Sequence, residues 1–318
     1  MGFAAAACVE ENFENDQPKY DTTPGNEIVF TATAGVENGM PKTKTEYGNT
    51  GTQDGKNVIE INWVEGDKIS IVSPQAAGAE VGNYKVVASS QTNDQYDGPH
   101  KASELVRLGD AGLQWTSDNE YDFYAVYPAV INNPTSGLSK EGVFTATMPT
   151  DQSGTPDPTT NGWVVTPNMN NAFMSAVGNY SRLKEDGTQN DGAINLQFNS
   201  MVTALQFEIV TGVIGGNNIQ NNYIDISSVS LVASNNKISG DFSYDIARGI
   251  CIPSDFNGNN RVIMHFDDTD KPLRLYSGNS LDVTFFILPE ILASNTLELQ
   301  IIFTLDGTRT SKSAKISA

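Results

Sequence analysis

The residues that could do chemistry are few and poorly grouped. His100 and His265 are the only imidazoles, and neither stands beside a second histidine or a cysteine at the spacing of a zinc site. No Gly-x-Ser-x-Gly elbow or phosphate loop occurs, so serine-hydrolase and nucleotide chemistries lack their usual parts. Ser181 and Lys184 form Ser-x-x-Lys, but in a polar stretch without the companion motifs, where coincidence explains it. Asp255-Phe256-Asn257-Gly258-Asn259 has the opening of a calcium loop, yet Asn260 replaces the sixth-position glycine and no glutamate stands twelfth, which leaves a turn. Asp267, Asp268 and Asp270 could meet a cation, and an acidic turn accounts for them equally well. No carboxylate pair is singled out for glycoside hydrolysis. The expectation is therefore a protein that is not an enzyme and uses no metal or cofactor.

The two cysteines lie in different surroundings. Cys251, between Ile250 and Ile252, reads as a small buried hydrophobe. Cys8 ends the small-residue run Phe3-Ala4-Ala5-Ala6-Ala7 and precedes Glu10, Glu11, Glu14 and Asp16. That is the pattern of a secretory signal, here 1–8, whose removal exposes a cysteine for lipid attachment. The basic start and longer apolar core of such a signal would lie upstream of Met1. No other run is long enough to span a bilayer. Of the three tryptophans, Trp63 continues an alternating strand and reads as core. Trp163 follows a proline-rich stretch and is the candidate exposed ring for stacking on a sugar.

These residues must be positioned by strands. Ile28, Phe30, Ala32, Ala34 and Val36 occupy every second position, the period of a strand with one buried face. The same alternation recurs in Ile59-Ile61-Trp63, Phe123-Ala125-Tyr127, Ile194-Leu196-Phe198, Leu205-Phe207-Ile209, Val229-Leu231-Ala233, Leu281-Val283-Phe285-Ile287 and Leu297 to Leu305. Turn pairs such as Asn38-Gly39, Asp54-Gly55, Asn161-Gly162, Asp186-Gly187 and Asp306-Gly307 fall between the runs and accept the positive φ of tight hairpins. Helix is expected only over Lys101–Leu108. The polar stretch from Gly178 to Gly192 reads as an interdomain linker, and Asp151–Thr160, with Pro156 and Pro158, as a surface loop.

A chain of 318 residues suits two domains on a prior of roughly 100–200 residues each. The expected division is a polar tether over 9–26, an N-terminal β-sandwich over 27–192 and a C-terminal one over 193–318. Acidic residues outnumber basic ones 38 to 19, for a net charge of −19, and the basic ones are scattered. Such a field repels nucleic acid and anionic headgroups, so a nucleic-acid partner is excluded.

In this frame the chain resembles the fimbrillin family of the Bacteroidetes, the pilins and related surface lipoproteins. The marks are Trp63-Val64-Glu65-Gly66-Asp67-Lys68-Ile69-Ser70-Ile71, Asp122 to Pro128 and Ala172 to Ala176 in the first half. In the second they are Ile194 to Ile209, Ile238-Ser239-Gly240-Asp241-Phe242, and Phe286-Ile287-Leu288-Pro289 leading into Leu297 to Phe303. Each alone is a common fragment; their order and spacing carry the resemblance. The chain departs at Asn199, where the family often has histidine. Cys8 with its acidic neighbours also resembles the family's surface-export signal, and Asp21-Thr22-Thr23 its O-glycosylation pattern.

The resemblance implies two tandem transthyretin-like antiparallel β-sandwich domains and a lipid-anchored precursor on the outer membrane. It also implies assembly into surface fimbriae by donor-strand exchange with other fimbrial subunits, serving adhesion and biofilm formation on a host protein or glycan. In such pilins a protease removes the first strand and a neighbour's strand fills the groove. Here the displaced strand would carry Ile28, Phe30, Ala32, Ala34 and Val36. The family's processing follows arginine, whereas this chain has none before Arg107, which leaves Lys42 and Lys44 as candidate cleavage sites. Alternatively the subunit is unprocessed and serves as anchor, tip or stand-alone protein. After Leu305 only Thr308 to Ile316 remains, with Ala314 and Ile316 its apolar residues: either a poor donor strand, or the chain continues beyond Ala318. A non-polymerising, glycan-binding surface lipoprotein is the other reading.

Overall fold

Alternating side chains and glycine-bearing turns fold this chain into sheets and almost no helix, so the protein is all-β. The structure is a computed structural model and describes residues 26–34, 44–53, 56–87, 103–132, 134–184, 186–190, 192–214, 222–234, 236–253, 258–266, 272–289 and 296–317.

The first strand, β1 (Phe30–Ala34), belongs to a seven-stranded closed barrel. Around the ring follow β16 (Ile194–Ser200), β15 (Met174–Ser181), β9 (Glu120–Tyr127), β4 (Lys68–Val72), β6 (Gly82–Val87) and β7 (Ser103–Leu108), which returns to β1. The inward row of each strand fills the interior, with Phe30, Ile69, Ile71, Tyr84, Phe123, Leu196 and Phe198 among its buried members. Two further two-stranded sheets form, the hairpin of β2 (Lys44–Gln53) with β3 (Lys56–Asn62), and β5 (Ala77–Gly78) paired with the sequence-distant β8 (Leu113–Gln114).

A second body is a sandwich. One sheet has the order β12 (Asp151–Gln152), β21 (Arg261–His265), β18 (Tyr223–Ala233), β24 (Thr296–Leu305) and β25 (Thr308–Ser317), with β22 (Leu273–Tyr276) also pairing β18. The other has the order β13 (Gly154–Thr159), β14 (Gly162–Pro167), β23 (Ser280–Ile287) and β17 (Thr203–Val210). Leu231, Val262, Met264, Leu281 and Phe285 pack between them. At Gly162 the backbone adopts φ +142 and an added Cβ would fall 1.8 Å from the Ser280 carbonyl oxygen, so only glycine lets β14 lie this close to β23. Asp306 and Gly307, at φ 46 and 75, make the tight turn that pairs β25 along the whole of β24.

A third sheet, β10 (Gly137–Leu138), β11 (Val143–Met148), β19 (Gly240–Asp245) and β20 (Ile250–Pro253), covers a third apolar cluster. That cluster joins Val72 and Val126 of the barrel strands to Phe144, Phe173 and Phe242, and to Phe286 and Leu288 next to the sandwich core. The two bodies thus share buried packing. Gln152 ties the joint: its Nε2 donates to the Phe286 carbonyl at 2.5 Å and its Oε1 accepts from the Phe286 N–H at 3.0 Å, as a neighbouring strand would.

Four sequence expectations differ from what forms. No helix forms over the described part of Lys101–Leu108: residues 103–108 are β7, held between β6 and β1. Asp151–Thr160 is not a loop but β12 and β13; Pro156 and Pro158 are tolerated because β13 ends its sheet and needs no outward donor. The stretch from Gly178 to Gly192 does not link two bodies. Its first residues complete β15, and the rest folds back on itself, with Asn190 N–H donating to Arg182 O at 2.7 Å and Tyr180 Oη to Asn190 O at 2.8 Å, before returning to β16 in the same barrel. Pairing also crosses residue 192 repeatedly: β16 lies in the barrel, while β11, β12 and β14 pair with β19, β21 and β23.

Candidate functional site

Among the described residues the longest-range strand pairing is that of β1 with β16. On one side β1 runs parallel to β16, from Phe30 opposite Ile194 to Ala34 opposite Phe198. On the other it runs antiparallel to β7, from Phe30 opposite Leu105 to Ala32 opposite Ser103. Among the described residues β7 and β16 do not pair with each other, so β1 alone closes the ring. Without it the barrel would be a six-stranded sheet with two facing rows of unpaired N–H and C=O groups and an open core.

The side chains of β1 and of the two residues before it enter that core in the predicted alternation. Ile28, Phe30 and Ala32 are fully buried, whereas Val29 is half exposed. The Phe30 ring sits edge-on to Tyr84 and Phe123, each at 5.3 Å between centroids. Burial raises the Tyr84 phenol far above its ordinary value, so it stays protonated, and its oxygen accepts from Leu113 N–H at 3.0 Å. Main-chain bonds extend the hold upstream: Ile28 N–H donates to Leu113 O at 3.0 Å and Trp115 N–H to Asn26 O at 2.9 Å. Glu27 lies 3.4 Å from Arg107, whose side chain is only 8% exposed. On the outer face Thr31 and Thr33 both donate to Asn195 Oδ1, at 3.2 and 2.7 Å.

The remaining candidates are placed as follows. The β1 backbone includes Ala34; Cys8, Val36 and Lys42 lie outside the described residues, and Lys44 begins β2. His100, Asp255, Asn257, Asp267, Asp268 and Asp270 also lie outside them. His265 is exposed, 3.6 Å from Asp151, and among the described residues no three metal-ligating side chains gather. Ser181 Oγ donates to Leu183 O at 2.9 Å rather than meeting Lys184. Cys251 is half buried, beside the third cluster.

Trp63 is buried as expected, against Tyr127 and Phe198. Trp163 is not an exposed platform: it packs on the sandwich core and its Nε1 donates to Arg274 O at 2.7 Å. Sequence reasoning missed Asn195, Tyr84 and the Glu27–Arg107 pair. Only Asn195 left a signal, as the outward residue between inward Ile194 and Leu196. Among the described residues no helix is long and apolar enough to cross a membrane.

No family model matches the chain, and no curated protein matches it. Solved structures do. A candidate cell adhesion protein from Bacteroides fragilis aligns at 12% identity and TM-score 0.46, over 92% of this chain and 88% of its own. A fimbrial protein from Bacteroides vulgatus aligns at 11% and 0.43, over 92% and 90%. A fimbrial assembly protein from Parabacteroides distasonis aligns at 10% and 0.35, over 91% and 85%.

Proposed function

We propose that this protein is a structural or accessory subunit of surface fimbriae, anchored by lipid at Cys8 to the outer membrane and joined to other fimbrial subunits by donor-strand exchange, in the service of adhesion and biofilm formation. The observation that carries the reading is β1 itself, the single strand that closes the barrel among the described residues. A strand with apolar residues at alternate positions is the chemistry such a slot accepts: main-chain hydrogen bonds supply affinity and the side-chain pockets set register. Ile28, Phe30 and Ala32 are all fully buried, two large side chains followed by a small one, so a replacing strand should carry the same order. Cleavage at Lys42 or Lys44 would free β1 to leave. The alternative, a non-polymerising glycan-binding lipoprotein built on exposed tryptophans, finds no such platform among the described residues, since Trp63 and Trp115 are buried and Trp163 is half buried.

The test is limited trypsin digestion of the lipid-free chain, followed by intact mass and size-exclusion chromatography with and without an excess of a synthetic peptide spanning residues 26–36. The reading expects a cut at Lys42 or Lys44, loss of the β1 fragment and a ladder of oligomers that the peptide suppresses. A cut chain that stays monomeric, keeps its fragment and never takes up the peptide would overturn strand exchange.

A further inference from the structure

Where barrel and third sheet meet, two short 3₁₀ turns project asparagines into one cleft. Val130–Asn132 follows β9 and brings Asn132; Met169–Asn171 precedes β15 and brings Asn170 and Asn171. The first turn is seated by Val130 N–H donating to Ser70 Oγ at 3.0 Å. The second is capped by Asn168, whose Oδ1 accepts from Asn170 N–H at 3.1 Å. Pro128, Thr147, Pro149 and Phe173 complete the walls of a cavity of about 240 Å³.

The fold does not use these three carboxamides. Among the described residues none of the Asn132, Asn170 and Asn171 side chains makes a hydrogen bond, although Asn171 is 93% buried at 7% exposure. Asn171 is not among the sealed polar atoms that lack a partner, so its carboxamide stays open to the cleft, where it can meet a ligand. Each carboxamide both donates and accepts, as a sugar hydroxyl does, and the proline and phenylalanine surfaces suit the apolar face of a pyranose ring. No ionisable side chain lines the cavity, so nothing there compensates a charged ligand on a chain of net charge −19. The volume is below the roughly 300–1,000 Å³ of drug-sized sites and is suited to a single ring.

We propose that this asparagine cleft binds a neutral hexopyranose unit, as a free monosaccharide or as the end of a glycan. The site does not depend on strand exchange. It is a different surface from that of Trp163, the candidate ring for stacking on a sugar.

Ligand-observed saturation-transfer NMR on the full chain, with neutral hexoses, N-acetylhexosamines, their short oligomers and a neutral tetrapeptide, tests the proposal, with calorimetry on the best binder. At least one neutral sugar should bind at millimolar concentration or better. The Asn132→Ala, Asn170→Ala double variant, altered at exposed positions, should weaken it about tenfold or more, the scale of losing a hydrogen-bond partner. Asn171→Leu should lose binding while its melting temperature holds or rises, because the fold gives that carboxamide no bond. Failure of every neutral sugar, preference for the tetrapeptide, or unchanged affinity in the double variant would overturn the proposal. So would a large drop in melting temperature for Asn171→Leu, since Asn171 would then be structural.

Discussion

Gln152 shows how much one polar side chain can decide. It is buried, and both ends of its carboxamide are spent on the backbone of Phe286, the residue that carries the chain from the sandwich core into the shared third cluster. Replacing it with leucine keeps the volume but orphans one buried N–H and one buried C=O. Gln152→Leu should therefore destabilise the protein by about 2–4 kcal/mol in urea unfolding. Nothing in the local sequence marks Gln152 as special, because its partner lies 134 positions away. Phe30 and Ile28 are the opposite case: their burial was legible from spacing alone, although the rings that receive Phe30, Tyr84 and Phe123, were not.

At the scale of elements, strands were legible wherever a run alternated, and were missed where tertiary pairing overrode local composition. Ser103–Leu108 has residues that could share a helical face, yet its backbone bonds go to β6 and β1, and Ser103 and Leu105 face inward while Glu104 faces out. Two prolines made 151–160 look like a loop, but an edge strand has no outward ladder for them to break. Pairing also creates electrostatics that no single strand contains. Asp282 on β23 stands directly opposite Glu208 on β17. Burial, then the Glu208 charge, raises the Asp282 carboxyl above its ordinary value. The folded state then holds that proton more tightly than the unfolded chain, so this group's contribution to stability falls as pH rises through the carboxylate range and is least at neutral pH. Asp282→Asn should raise the melting temperature at pH 7, with the gain vanishing below about pH 3, where both states are protonated. Paired thermal melts at the two pH values check the sign.

Across the whole molecule, pairing ignores the boundary that polarity suggests. Strands from 137–167 complete sheets with strands from 240–287, and β16 completes the barrel. Expressed separately, 27–192 would lack a barrel strand and 193–318 would lack β11, β12 and β14. Neither piece should give the dispersed amide NMR spectrum of a folded protein, whereas co-expression should recover one. A folded, soluble 193–318 fragment would show that the shared packing is dispensable.

Composition and periodicity by themselves determined that the chain is all-β, which faces of its strands are apolar, where several hairpins turn, and that its charge disfavours nucleic acid. Each of these depends on residues close in sequence, where alternation of side chains and the φ demands of a turn act locally. Tertiary structure decided the rest: that β1 fills a gap between β7 and β16, that Trp163 spends its N–H on Arg274, that Gln152 stands in for a strand, and that three asparagines from two distant turns share one cleft. The physical reason is common to all four. A strand's edge and a carboxamide are unspecific until a partner is brought beside them, and here the partners come from 71 to 164 residues away or from separate turns, by the pairing of sheets whose order the local pattern does not encode.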